Sequence, residues 1–262
     1  MNPDTIQSGA GARAQEALRI ENVSKSFGGV RAVNAATMSL APGERRSLIG
    51  PNGAGKTTLF NLVTGSLPAD SGRVVLFGED ITGYSVARRA LLGMGRSYQI
   101  SKLLLDLTVE ENIMLSALGG ENMFSGMLSS WRRKEDKVRR VREIAREVGL
   151  VDVLRVKVGE LSHGQQRQLE LGVILAMRLR IILLDEPAAG LSPSEREVIK
   201  DLLNALPNDV TILLIEHDMD VVLNFSDRIT VLHQGAIYVE GTPDEIRANE
   251  QVQKIYLGTL YE

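Results

Sequence analysis

The chain has 262 residues, of which 44% are hydrophobic and 24% charged, an ordinary balance for a folded globular protein. A formal net charge of −3 argues against a nucleic-acid-binding footprint over the whole surface. The absence of cysteine excludes disulfides and thiolate metal sites, and no apolar run approaches the roughly 18 residues of a membrane span, so any membrane role must come through a partner.

Residues 1–16 are polar and rich in Gly and Ala, without a basic start followed by an apolar run. They are predicted to be a disordered tail rather than a signal peptide. Residues 17–262 read as a single domain. Strands are predicted at Leu18–Val23 and Ala36–Leu40, with a turn region at Phe27-Gly28-Gly29 between them. Arg45–Ile49 reads as a short strand, and Thr57–Val63 as a helix. Between them, Gly50-Pro51-Asn52-Gly53-Ala54-Gly55-Lys56-Thr57 fits the phosphate-binding pattern G-x-x-x-x-G-K-[ST]. Glycines let backbone N–H groups approach phosphate oxygens closely, and the helix that follows puts its positive dipole end on them. Lys56 can reach the β- and γ-phosphates, and the Thr57 hydroxyl can hold Mg²⁺. Asn52, Gly53, Ala54, Gly55, Lys56, Thr57 and Thr58 are therefore the candidate nucleotide-binding residues of this loop.

A turn at Pro68–Gly72 precedes a strand at Arg73–Phe77, and Ser85–Leu92 reads as a helix. Thr108 and Glu111 form a capping-box-like start to another. Gly119–Ser130 is a loop rich in Gly, Ser and Met. Trp131–Leu150 is charged, with Val138, Val141, Ala145 and Val148 on one helical face. Glu135 with Arg139 and Asp136 with Arg140 are predicted i,i+4 pairs. Met114, Met123, Phe124, Met127, Leu128 and Trp131 are expected near the surface of this helical part. There they either line a groove for a membrane subunit's helix or pack a small core of their own.

A helix is predicted from Gly164 to about Met177. Ile181–Asp185 and Thr211–Ile215 are apolar runs of the kind buried on both faces of a parallel sheet. Ser194–Leu206 is helical, and strands recur at Arg228–His233 and Ala236–Glu240. Strands alternating with helices at both ends, and mostly helix between, predict a largely parallel α/β core carrying a helical insertion. The Ile181–Asp185 strand ends in two acids. Asp185 suits Mg²⁺ binding, and Glu186, pointing the other way, suits a general base on an attacking water. His217 follows a strand C-terminus, where ligands bind in open α/β sheets.

Leu161-Ser162-His163-Gly164-Gln165-Gln166-Arg167-Gln168 lies about twenty residues before the Asp185-Glu186 strand end. With the phosphate loop, it makes nearly the whole chain resemble the ATP-binding-cassette ATPases. That resemblance implies a P-loop NTPase core with an antiparallel N-terminal β-subdomain and a helical subdomain inserted at about residues 100–178. It implies Gln99 as the glutamine that senses Mg²⁺ and the transmembrane partner, His217 as the switch histidine near the γ-phosphate, and Phe27 as the ring that stacks on adenine. It also implies a head-to-tail dimer of two cassettes, in which Ser162 and Gly164 of one meet the ATP on the other; Ser162 can also be a plain helix N-cap. Two departures stand out. His163 replaces a common glycine, and Ser192 stands where an acid is usual, so no inter-subunit role resting on that acid carries over.

Asp185-Glu186-Pro187-Ala188-Ala189-Gly190-Leu191-Ser192-Pro193, Phe27–Val33 and Tyr256-Leu257-Gly258 are similar to the branch that powers branched-chain amino acid importers. The branch implies ATP and Mg²⁺ as cofactors. It also implies a second ATPase subunit (hetero- or homodimer), integral-membrane permease subunits, an extracytoplasmic solute-binding protein, and a place at the cytoplasmic face of the membrane. Cargo within the branch extends to related small amino acids and amides. The alternative is a soluble cassette ATPase clamping nucleic acid or ribosomes. That class usually carries two cassettes or a long coiled-coil arm, and neither is present here.

Overall fold

The computed structural model describes residues 16–96, 103–118, 135–177 and 179–258. Gln99, the Gly119–Trp131 segment and all but the last residue of the expected tail lie outside them. Strands β1 (Leu18–Phe27), β2 (Val30–Leu40), β4 (Ser71–Leu76) and β5 (Glu79–Asp80) form an antiparallel sheet in the order β2-β1-β4-β5. Strands β3 (Arg45–Ile49), β6 (Met94–Arg96), β7 (Ile181–Asp185), β8 (Thr211–Ile215), β9 (Arg228–His233) and β10 (Ala236–Gly241) form a second sheet in the order β10-β9-β3-β8-β7-β6. Its neighbours are parallel except for the antiparallel β10–β9 pair.

The continuous apolar runs of β7 and β8 are explained by burial on both faces. Ile181, Leu183, Leu213 and Ile215 point into a core shared with the antiparallel sheet and helix α1 (Lys56–Thr64). Ile182, Leu184, Ile212 and Leu214 point the other way. They pack with helices α3 (Val109–Leu118), α4 (Glu135–Glu147), α5 (His163–Ala176), α6 (Pro193–Asn204) and α7 (Met219–Phe225). Successive side chains on a strand face opposite sides, so only a sheet covered twice needs such runs. Helix α2 (Val86–Leu91) precedes β6, and α8 (Pro243–Ala248) and α9 (Glu250–Gly258) follow the sheet. Helix starts follow their capping chemistry: Ser162 with Gln165, Ser192 with Glu195, and Thr242 with Glu245 each form a reciprocal box.

Several expectations need correction. Strands β1 and β2 extend through their polar ends to the Gly28-Gly29 turn, because backbone pairing continues where side-chain alternation stops. Helix α4 uses i,i+3 pairs, Asp136 with Arg139 and Arg140 with Glu143, rather than the expected i,i+4 pairs. Met114 is only 1% exposed and packs with the core of α3–α5, so it does not line a surface groove. The short strand β6 was not foreseen; three residues at a sheet edge carry too little pattern to read.

Helix α1 ends on a buried cation. The Arg89 guanidinium, 2% exposed, donates to the carbonyls of Leu62 (3.0 Å) and Val63, and to those of Thr82 (3.0 Å) and Tyr84 (3.1 Å). Burial pulls its pKa down to about 10, against the pull of Asp80. The cation complements the negative end of the helix dipole and satisfies orphan carbonyls. Arg89→Ala should destabilise the fold by about 2–3 kcal/mol, read as a lower urea midpoint at unchanged m-value. An unmoved midpoint would show that water satisfies those carbonyls as well.

Candidate functional site

Three parallel strands deliver the candidate residues to one edge of the sheet. β3 runs into the 50–57 loop, β7 into Glu186, and β8 through Glu216 into His217. The loop is clamped by backbone on both sides. Gly55 has φ 102°, and a Cβ there would fall 2.3 Å from the Ala32 carbonyl oxygen; at Gly50 one would fall 2.2 Å from that of Leu232. The Gly235 N–H donates to Ala54 O at 2.9 Å. Asn52, Gly53 and Thr57 are exposed, Ala54 is buried, and Gly55, Lys56 and Thr58 lie between. No side chain caps α1 and no acid sits in its first turn, so its leading N–H groups are left unspent by side chains. Such an end attracts phosphate.

Lys56 Nζ donates to Gly50 O (2.6 Å) and Pro51 O (3.0 Å). Burial pulls its ammonium below the usual lysine range, while the nearby Glu186 and Asp185 carboxylates push it back up. Asp185 is pushed above the usual carboxylate range by burial, opposed first by Arg96. Arg96 is a residue that the sequence alone did not single out. Its Nη2 lies 3.1 Å from Asp185 Oδ2, its Nη1 donates to Asn61 Oδ1 at 2.5 Å, and its guanidinium stands 4.8 Å from the Phe60 ring centroid.

Glu186 adopts φ 48°, unusual for a residue with a side chain, and its N–H donates to Ile215 O at 2.9 Å. Its carboxylate lies beside His217, whose Nδ1 is 3.8 Å from Glu186 Oε1. Phe27 is half exposed at the end of β1, with Lys25 Nζ 5.8 Å from its ring centroid. An open ring face there suits stacking on a base.

Ser162 and Gly164 are not joined to the phosphate loop by any described hydrogen bond. Ser162 caps α5 by accepting from Gln165 N at 3.2 Å, which leaves its hydroxyl hydrogen available. Gly164 packs against Glu195 of α6, whose Oε1 lies 2.4 Å from where a Cβ would stand. Glu195 in turn accepts from Ser192 Oγ (2.7 Å) and Ser192 N (3.0 Å). Those bonds, with one from the Gly164 N–H, hold its carboxyl below the usual range. The donor set for a hard cation is present: the exposed Thr57 hydroxyl and the Asp185 carboxylate are oxygen ligands of the kind Mg²⁺ takes.

Comparison with known proteins agrees with this geometry. The family model described as ABC transporter matches residues 33–189. The chain belongs to the ABC transporter ATPase family, whose domain binds and hydrolyses nucleotide. A second model, described as branched-chain amino acid ATP-binding cassette transporter, matches residues 239–261. Among relatives, the high-affinity branched-chain amino acid transport ATP-binding protein BraF of Pseudomonas aeruginosa is 39% identical, covering 92% of this chain and 97% of the relative. LivG of Escherichia coli K12, of the same description, is 38% identical over 94% and 99%. Among solved structures, the ADP conformation of MJ1267, an ATP-binding cassette of an ABC transporter, aligns with TM-score 0.79 at 34% identity, covering 93% of this chain and 99% of that one. The dimeric post-hydrolysis structure of the cassette MJ0796, bound to ADP and Pi, aligns with TM-score 0.73 at 26% identity, covering 86% and 98%.

Proposed function

We propose that this chain is the ATP-hydrolysing subunit of an importer for branched-chain amino acids or related small amino acids and amides. The observation that carries the reading is near-full-length similarity to BraF and LivG. Asn52–Thr58 hold the phosphate tail, with Lys56 neutralising the β- and γ-phosphates and Phe27 stacked on the adenine. Thr57 and Asp185, with Gln99, hold Mg²⁺, which supplies positive charge to the phosphates when bound. Glu186 takes the proton of the attacking water, and His217 sits beside it near the γ-phosphate.

Ser162 and Gly164 serve the ATP held by a second cassette. Their described partners within the chain lie in α5 and α6, which fits a site completed from outside. The dimeric state of MJ0796 is a precedent for such pairing. The helical part at about residues 100–178 meets the permease subunits, which hold the chain peripherally at the cytoplasmic face while a solute-binding protein delivers cargo. Among the described residues, no helix is long and apolar enough to cross a membrane.

Affinity purification from solubilised membranes tests the reading. It should recover integral-membrane subunits, and proteoliposomes rebuilt from that complex, loaded with ATP and supplied with the binding protein, should take up labelled leucine. Recovery with ribosomes or DNA instead would favour a soluble clamp.

A further inference from the structure

A fully buried carboxylate lies beneath the site and has no part in the chemistry just described. Glu216, between β8 and His217, is 1% exposed. Its Oε1 accepts the N–H of Ala188 at 3.2 Å, and its Oε2 accepts those of His217 (3.0 Å) and Asp218 (3.4 Å). Ala188 lies two residues after Glu186, and Ala189 N donates back to Glu186 O at 3.1 Å. One carboxylate thus ties the turn that carries the candidate base to the turn that carries the histidine. The second tie between them is the Glu186 N–H to Ile215 O bond.

Burying a charge is costly without partners. Among the described residues, no lysine or arginine pairs with Glu216. Its company is three backbone N–H groups and His217 Nδ1, 3.8 Å from Oε2. The same Nδ1 stands 3.8 Å from Glu186 Oε1, so that edge of the ring faces two carboxylates. The opposite nitrogen, Nε2, is thereby directed away from them. A neutral side chain could satisfy one turn; two oxygens on one planar group reach both.

We infer that Glu216 is a positioning residue for ATP hydrolysis, fixing Glu186 and His217 relative to each other through the two turns it bridges. The inference rests on the roles proposed above for those two residues. Misplacing reacting groups by about an ångström can cost roughly 100-fold in rate.

The test is Glu216→Gln in the assembled transporter, with Glu186→Gln and His217→Ala measured beside it. Glu216→Gln should lower kcat roughly 10- to 100-fold while the KM for ATP moves less than about threefold. In the His217→Ala background the same substitution should cost less than about threefold, because Glu186 then has no imidazole to be fixed against. If the Gln variant fails to fold, Glu216→Asp keeps the charge and the neighbouring N–H partners but falls short of Ala188; it too should lose kcat. Parental kcat in the folded variant, or full additivity with His217→Ala, overturns the inference. If Glu186→Gln itself hydrolyses ATP normally, the assignment of the base fails instead, whatever Glu216 does.

Discussion

Glu186→Gln should lower ATP turnover by roughly 10²–10⁴-fold and leave ATP binding intact. The substitution keeps the shape of the side chain and removes only its ability to take a proton. The backbone that holds it, with φ 48° and an N–H bonded to Ile215 O, asks the same of Gln as of Glu. Lys56 and the first turn of α1, the groups proposed to hold the phosphates, keep their positions. Phosphate release measured beside equilibrium binding of a fluorescent ATP analogue separates the two effects. A turnover near the parental rate would move the base elsewhere. A parallel loss of binding would make Glu186 a ligand rather than a base.

Gly55→Ala should cut ATP affinity about 100-fold, or ~2.7 kcal/mol. Two costs combine. A φ of 102° is strained for any residue with a Cβ. That Cβ would also stand 2.3 Å from Ala32 O, a backbone atom of β2 that cannot rotate aside. Either β2 retreats or the loop shifts, and with it the N–H groups of Lys56, Thr57 and Thr58. Isothermal titration with ATP and Mg²⁺ reads the loss directly. Gly53→Ala is the control: its φ is also positive at 77°, but its Cβ would meet nothing within 4 Å, so it should lose less. Equal losses at both would show that strain rather than collision controls the loop.

Much of this was legible in the sequence because it is encoded locally. The phosphate loop declares itself by residue type at fixed spacing. β7 and β8 declare themselves by apolar runs that only a doubly covered sheet tolerates, and Thr108 with Glu111 by the capping box that they do form. What escaped is encoded by tertiary partners. β6 is a strand only because β7 lies beside it. Helix α7 is short, and its cap, Asp218, looks in sequence like one more acid near His217. Arg96, Arg89 and Glu216 are ordinary charged residues until the fold buries them among Asp185, four carbonyls and three N–H groups. Glu216 in particular reads as a spacer between a strand and a histidine, and nothing in its neighbours' types foretells burial.

The order β3-β8-β7 has a metrical consequence. Gly50, His217 and Glu186 follow the ends of adjacent strands, so the gap between the phosphate loop and the two acids is two interstrand steps, roughly 10 Å. That pitch is set by backbone hydrogen bonds and cannot be stretched by changing side chains. Cassettes built on this order inherit one gauge, and evolution can adjust turnover only with what is mounted on it.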